Sequence, residues 1–250
     1  MEIRELSDKL KNSGVAGAGG AGFPSYAKLS DRADTVLLNC AECEPLLSLH
    51  RQLLGAHPEE ILGALSLVVR TLGAKEGIVA VKAEYTETLR AVRQHIDDFP
   101  ELRIHELPGA YPMGDEVVLI YECTGRQLRP GGLPIEQGVI VYNVETMFNA
   151  WHSITGGAAV TDKLVSVVGE VKEPVTLRAP LGTPMSALVE NAGGYTTAHP
   201  VLLVGGPMMG RFGQPEDPVT RTTNALLVLG LAGVAVVGGY LLLRARRSKN

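Results

Sequence analysis

The sequence predicts an α/β fold: a domain with a mostly parallel sheet over residues 1–160, a small β-grasp-like domain over 161–229, and a hydrophobic, basic tail over 230–250. Three observations predict it. Strand-like and helix-like segments alternate through the first 150 residues. After Thr161 the order becomes strand, strand, helix, strand, strand. The run from Ala225 to Leu243 carries no charge and is followed at once by Arg244, Arg246, Arg247 and Lys249.

The elements follow in order. Thr35 to Cys40 (TVLLNC) is an apolar run of strand length. Pro58 to Leu72 reads as a helix: a proline and two glutamates open it, and Ile61, Leu62, Leu65, Val69 and Leu72 share a face. Gly73 follows as its cap. Gly77 to Val81 is strand-like, Thr86 to Ile96 helical, and Arg103 to Leu107 a strand. The VVLIY run after Glu116 also reads as strand-like. Gly138 to Val144 is a buried strand, and Glu145 to Ile154 a helix. This βαβ rhythm implies helices on both faces of the sheet.

In the second domain, Lys163 to Val171 and Val175 to Ala179 form a hairpin around Glu173-Pro174. A short helix, Pro184 to Ala192, ends at Gly193-Gly194. Strands follow at Val201 to Val204 and Asn224 to Leu229. The tail has two readings. Ala225 to Leu243 is roughly 19 residues, long enough to span a membrane, with a basic flank of the stop-transfer kind. If Ala225 to Leu229 is instead a strand, roughly 14 apolar residues remain, which is short for a span.

Composition excludes some classes. A hydrophobic fraction of 45% and a charged fraction of 20% describe a chain that builds a core. A net charge of −4 without a basic stripe argues against nucleic acid. The three cysteines, Cys40, Cys43 and Cys123, are too few for a disulfide framework and suit a reducing, cytoplasmic compartment. They are also fewer than the four thiolates an iron–sulfur cluster needs, so no cluster is expected in this chain. The N-terminal MEIRELSDKLKNSG has no apolar core of a signal peptide.

Four stretches carry polar or glycine-rich chemistry. The first runs from Gly14 to Pro24, with Lys28 beyond it. Glycines let successive N–H groups form an anion-binding nest, although a flexible linker has the same composition. No strand precedes it, so it is no dinucleotide fingerprint. The second is Asn39-Cys40-Ala41-Glu42-Cys43-Glu44-Pro45, just past a predicted strand, where ligands of open α/β sheets bind. Its Cys-x-x-Cys spacing has no second pair to complete a metal site. The third is Tyr111 to Glu116, which a solvated turn would also explain. In the fourth, Tyr142 to Thr146, Asn143 and Thr146 suit either a helix cap or a ligand contact. The six histidines are scattered and receive no role.

Together, GAGGAGFPSYAKL, NCAECEP, GDEVVLIYECTGR and VYNVETMFN occur in the order of one family. The chain resembles the NADH-binding flavoprotein subunit of complex I, and more closely its RnfC and PduS-type relatives, the latter cobalamin reductases. VVGEVKEPVTLRAPLGT through PVTRTTNALLVL resembles the SLBB β-grasp domain of those relatives. The resemblance implies a Rossmann-like flavin and NADH-binding domain. It places Gly17, Gly19, Gly20 and Lys28 at the phosphate and ribityl chain of FMN. It places Asn39, Glu42, Cys43, Asn143 and Thr146 along the flavin, and Gly114, Asp115 and Glu116 at the flavin–nicotinamide junction. Phe23, Glu44 and Glu116 are the implied NADH contacts. The carboxylates of Glu42, Glu44, Asp115 and Glu116 lack an arginine in their motifs, which disfavours a 2′-phosphate and predicts NADH over NADPH.

The sequence departs from the family at Ala41, Tyr142 and Asp31. The ferredoxin-like segment of the relatives is not found, nor is the additional N-terminal domain of RnfC, which favours the PduS-like branch. The expected activity is oxidation of NADH through FMN, with electrons passed to a separate acceptor: an iron–sulfur protein, a cobalamin or a membrane redox complex. The rival expectation is a non-catalytic, membrane-associated binding or assembly subunit. A truncated reading frame would make the tail incidental. The expected location is the cytoplasm, with the tail a candidate anchor to the cytoplasmic membrane.

Overall fold

A computed structural model describes residues 1–230, 232–235 and 239. Most of the predicted tail anchor lies outside the described residues. No helix among them is long and apolar enough to cross a membrane. The chain forms two compact units: Met1–Cys43 with His50–Val160, and Glu44–Leu49 with Thr161–Asn250.

The first unit is built on a four-stranded parallel sheet of β1 (Thr35–Cys40), β2 (Glu76–Lys82), β3 (Leu102–Leu107) and β4 (Val139–Asn143), in the order β3-β2-β1-β4. Its helices are α1 (Ile3–Asn12), α2 (Leu49–Ala56), α3 (Pro58–Leu72), α4 (Thr86–His95), α5 (Glu116–Thr124) and α6 (Val144–Gly156). The predicted strands lie within a residue of β1 to β4. Helix α3 begins on Pro58 and ends with Gly73 in the left-handed conformation, φ 66°, as its composition requires. Alternation along the strands divides the core. Leu37, Ile78, Ala80 and Val141 point to the face covered by Leu119 and Ile120 of α5. On the other face α3 packs on β1 and β2 and against α6.

One element is corrected. VVLIY, read as strand-like, is the body of α5. A short β-branched apolar run does not distinguish a strand from a buried helix. The side chain of Asp115 decides it by accepting from the N–H groups of Val117 and Val118 at 3.0 and 3.3 Å. We expect Asp115→Ala to cost roughly 1 kcal/mol of stability through this cap. Urea unfolding followed by circular dichroism measures it.

The second unit contains β5 (Asp162–Gly169), β6 (Val175–Pro180), α7 (Met185–Asn191), β7 (Val201–Val204), β8 (Arg211–Gly213) and β9 (Ala225–Leu229). The sheet order is β6-β5-β9-β7-β8, with β9 parallel to β5 and antiparallel to β7. Met185, Leu188 and Val189 of α7 join Val165, Val167 and Leu226 in one core. The short β8 has no counterpart in the sequence expectation. Its three residues, Arg-Phe-Gly, are too few to show a period.

Candidate functional site

The order β3-β2-β1-β4 reverses direction between β1 and β4, and such a reversal opens a crevice at the carboxyl ends of the two strands. Asn39 and Asn143 are register partners at those ends. The glycine loop joins them from the chain's N-terminal side. It is closed on itself: Gly17 N–H donates to Phe23 O at 2.7 Å, and Gly22 N–H to Gly17 O at 3.1 Å. It is tied to α6 by Ala18 N–H, which donates to Thr146 Oγ1 at 3.0 Å. Gly20 and Gly22 sit at φ 105° and 67°, conformations that exclude most side chains. Gly19 lies so close to Asn143 that a Cβ would stand 3.2 Å from its Nδ2. The backbone N–H groups of Gly19, Gly20 and Ala21 are solvent-exposed and make no hydrogen bond among the described residues. These are the donors an anion would meet.

Lys28 ends a 3-10 turn, Ser25–Lys28, that follows the loop. Its Nζ donates to Val141 O at 2.8 Å and stands 5.9 Å from the Phe23 ring centre and 5.7 Å from that of Tyr142. Glu116, the carboxylate paired with it, is 3.9 Å away. Burial therefore holds the Lys28 pKa below its ordinary value, with Glu116 opposing. Tyr142, the residue that departs from the family pattern, is buried and donates its hydroxyl to Ser25 O at 3.1 Å, bracing the base of the loop.

The loop after β1 and the segment before α5 are clamped together. Asn39 Nδ2 donates to Gly114 O at 2.9 Å, and Gly114 N–H donates to Cys43 Sγ at 2.9 Å. A Cβ on Gly114 would fall 1.8 Å from Ala41 O. Glu42 turns inward: its carboxylate accepts from the N–H groups of His50 and Arg51 at 3.0 and 3.4 Å, at the start of α2. Burial raises its pKa, and those two N–H groups oppose the rise. Asn143 Oδ1 accepts from Glu145 N–H at 2.9 Å and caps α6. Glu42, Asp115 and Asn143 thus each spend a side-chain oxygen on a helix N-terminus. Cys40 is fully buried and burial pushes its thiol pKa well up, which suits packing rather than redox work. Among the described residues no group of histidine, cysteine and carboxylate side chains is arranged to hold a metal.

Of the implied NADH contacts, Phe23 and Glu116 are about half exposed in the first unit. Glu44 belongs to the segment grouped with the second unit. There its Oε2 accepts from Met208 N–H at 2.8 Å. Sequence reasoning missed three residues of the site region. His50 lies beside Asn143, with ring nitrogens 3.1 and 3.2 Å from its Nδ2. Lys82 donates to Glu42 O at 2.9 Å, and the Arg51 guanidinium lies 4.9 Å over the Tyr85 ring. Lys82 directly ends a predicted strand, and that position was the available signal. Arg51 also qualifies one premise: an arginine does lie near Glu42, although outside its motif.

Fold and site define an α/β domain with an anion-binding loop at its strand reversal, accompanied by a β-grasp unit. Residues 10–152 match the model of the Nuo51 FMN-binding domain, and residues 164–212 that of the SLBB domain. The chain belongs to the Nuo51 FMN-binding domain family. It is 38% identical over 229 residues to cobalamin reductase PduS of Citrobacter freundii, covering 91% of this chain and 50% of that one. It is 34% identical over 235 residues to the RnfC-type component of the ion-translocating oxidoreductase complex of Rhodobacter capsulatus, covering 91% and 45%. The chain spans about half the length of the curated relatives it matches. An NAD+-reducing NiFe-hydrogenase crystal structure superposes with a TM-score of 0.78 at 24% identity, over 92% of this chain and 47% of that one, and so shares the fold.

Proposed function

We propose that this chain is an electron-transfer flavoprotein module that binds FMN in the crevice between β1 and β4 and oxidises NADH. The observation that carries it is the exposed N–H triplet of Gly19, Gly20 and Ala21, with the weakly paired ammonium of Lys28 near the same loop. That donor set fits a phosphomonoester: backbone N–H groups for its oxygens and a cation for its charge. Gly17, Gly19, Gly20 and Lys28 hold the phosphate end. Asn39, Cys43, Asn143 and Thr146 set the crevice walls. When bound, FMN supplies hydride acceptance and onward electron release. The protein's part is orientation, with Asn143 fixed by its cap and Gly114 fixed by its clamp.

Phe23 and Glu116, half exposed in the first unit, are the nicotinamide nucleotide contacts there, and Glu44 is assigned the same role. The carboxylates argue against a 2′-phosphate, so NADH should be used at least tenfold better than NADPH, a difference of about 1.4 kcal/mol. Equal turnover with the two would refute this. The three cysteines do not provide a cluster, so the acceptor lies outside these 250 residues: an iron–sulfur protein, a cobalamin or a membrane redox complex. The test is the absorbance spectrum of the purified protein reconstituted with FMN, before and after NADH. Bleaching of the bound flavin supports the proposal. A protein that remains colourless after FMN is added overturns it.

A further inference from the structure

His50 stands between two partners that want opposite things from it. On one side is Asn143. Its Oδ1 accepts from Glu145 N–H, so the other end of the amide, facing His50, is Nδ2. That nitrogen only donates, and the His50 ring nitrogens lie 3.2 Å (Nδ1) and 3.1 Å (Nε2) from it. The contact is a hydrogen bond only if one ring nitrogen carries a lone pair, that is, if the imidazole is neutral. On the other side Glu42 Oε1 lies 4.0 Å from Nδ1 and favours the charged ring. The remaining charged groups nearby act on Glu42 rather than on the amide. Lys82 Nζ is bound to Glu42 O, and the Arg51 guanidinium is stacked over Tyr85. Asn143 brings no charge from β4. The His50 side chain is only 14% exposed, so water is a poor substitute for either partner.

The same Nδ2 packs against the α-carbon of Gly19, in the middle of the anion loop. An amide nitrogen has two hydrogens. With one committed to His50, the second is held in a fixed direction beside the loop.

We propose that neutral His50 positions Asn143 for the flavin, and that protonation of the ring releases the amide and loosens flavin binding. This rests on the FMN reading above. Protonation leaves the ring with two N–H donors and no acceptor, so an N–H faces an N–H, while Glu42 offers the new cation a partner. The change takes place between about pH 8 and about pH 5, where histidine titrates.

The test is FMN binding by the full chain, followed by flavin fluorescence quenching at about pH 8 and about pH 5.5, for the parent, His50→Gln and His50→Leu. Glutamine keeps an acceptor for Asn143 but does not titrate. The parent should lose roughly tenfold in affinity on acidification, the order of one hydrogen bond. His50→Gln should bind like the parent at the higher pH and lose most of that acid dependence. What dependence remains belongs to Glu42. His50→Leu should bind roughly tenfold more weakly at the higher pH. A His50→Gln variant with the parent's full pH dependence, or a His50→Leu variant with the parent's affinity at the higher pH, overturns the proposal and leaves the flavin reading standing. A parent that binds no FMN at either pH overturns both. The Asn143 side-chain NH2 resonance of the FMN-free protein gives a second readout. It should shift with pH in the parent and stay fixed in His50→Gln, and a fixed resonance in the parent also overturns the proposal.

Discussion

Replacing Gly114 with alanine is expected to abolish measurable FMN binding and to lower the melting temperature by roughly 5–10 °C. The added Cβ would lie 1.8 Å from Ala41 O and 2.9 Å from Cys43 Sγ. The first clash is with backbone, so no rotamer change relieves it. The loop after β1 and the segment before α5 must separate. Overpacking of this kind costs roughly 2–3 kcal/mol, and each kcal/mol shifts the melting temperature by about 2–4 °C in a chain of this size. Separation also breaks Asn39 Nδ2 to Gly114 O and Gly114 N–H to Cys43 Sγ. The flavin wall and the helix that carries Glu116 then move apart. Cys43→Ser is the informative companion, because its oxygen still accepts from Gly114 N–H and it should lose much less. Thermal unfolding by circular dichroism and FMN titration measure the two effects. An alanine variant that binds FMN like the parent would show that the clamp yields without moving the crevice.

The fold was largely legible in the sequence because its signals are local. Pro58 and Gly73 bracket α3, and the apolar runs of β1 and β4 have no competing period. VVLIY was misread because the deciding group lies outside it, in the Asp115 carboxylate one residue before α5. The site was legible only as four motifs in order. What brings them together is sheet topology, which pairs Asn39 with Asn143 across 104 residues of chain. His50 and Lys82 were invisible for the same reason. Neither has a motif neighbour in sequence, and each acquires meaning only through a partner, Asn143 or Glu42, supplied by folding. The roles of Glu42, Asp115 and Asn143 as caps were equally hidden. A carboxylate or amide in a ligand motif and one at a helix start look alike in sequence, and Asn143 is both capped onto α6 and packed against the anion loop.

Lys28→Met should weaken FMN binding by roughly 30- to 100-fold, while riboflavin, which lacks the phosphate, should bind the variant about as well as it binds the parent. A hydrogen bond to a charged group contributes roughly 1.5–3 kcal/mol, and each 1.4 kcal/mol is tenfold. Methionine keeps the apolar stem that lies near Phe23 and Tyr142, so the loss isolates the charge. The FMN-free protein should not be destabilised. Burial lowers the Lys28 pKa in the folded state below its unfolded value of 10.5. The unfolded chain therefore binds the proton more tightly. At neutral pH the protonated lysine costs the folded state stability, and the cost is relieved as pH rises through the folded value. Glu116, 3.9 Å away and nearly half exposed, offsets little of it. A bound phosphate is the partner that would. Removing the charge should therefore leave the melting temperature of the FMN-free protein unchanged or raise it, while the stabilisation gained on adding FMN shrinks. If FMN and riboflavin lose affinity equally, the Lys28 ammonium meets something other than the phosphate, and the anchor of the flavin must be sought in the Gly19 to Ala21 N–H groups alone.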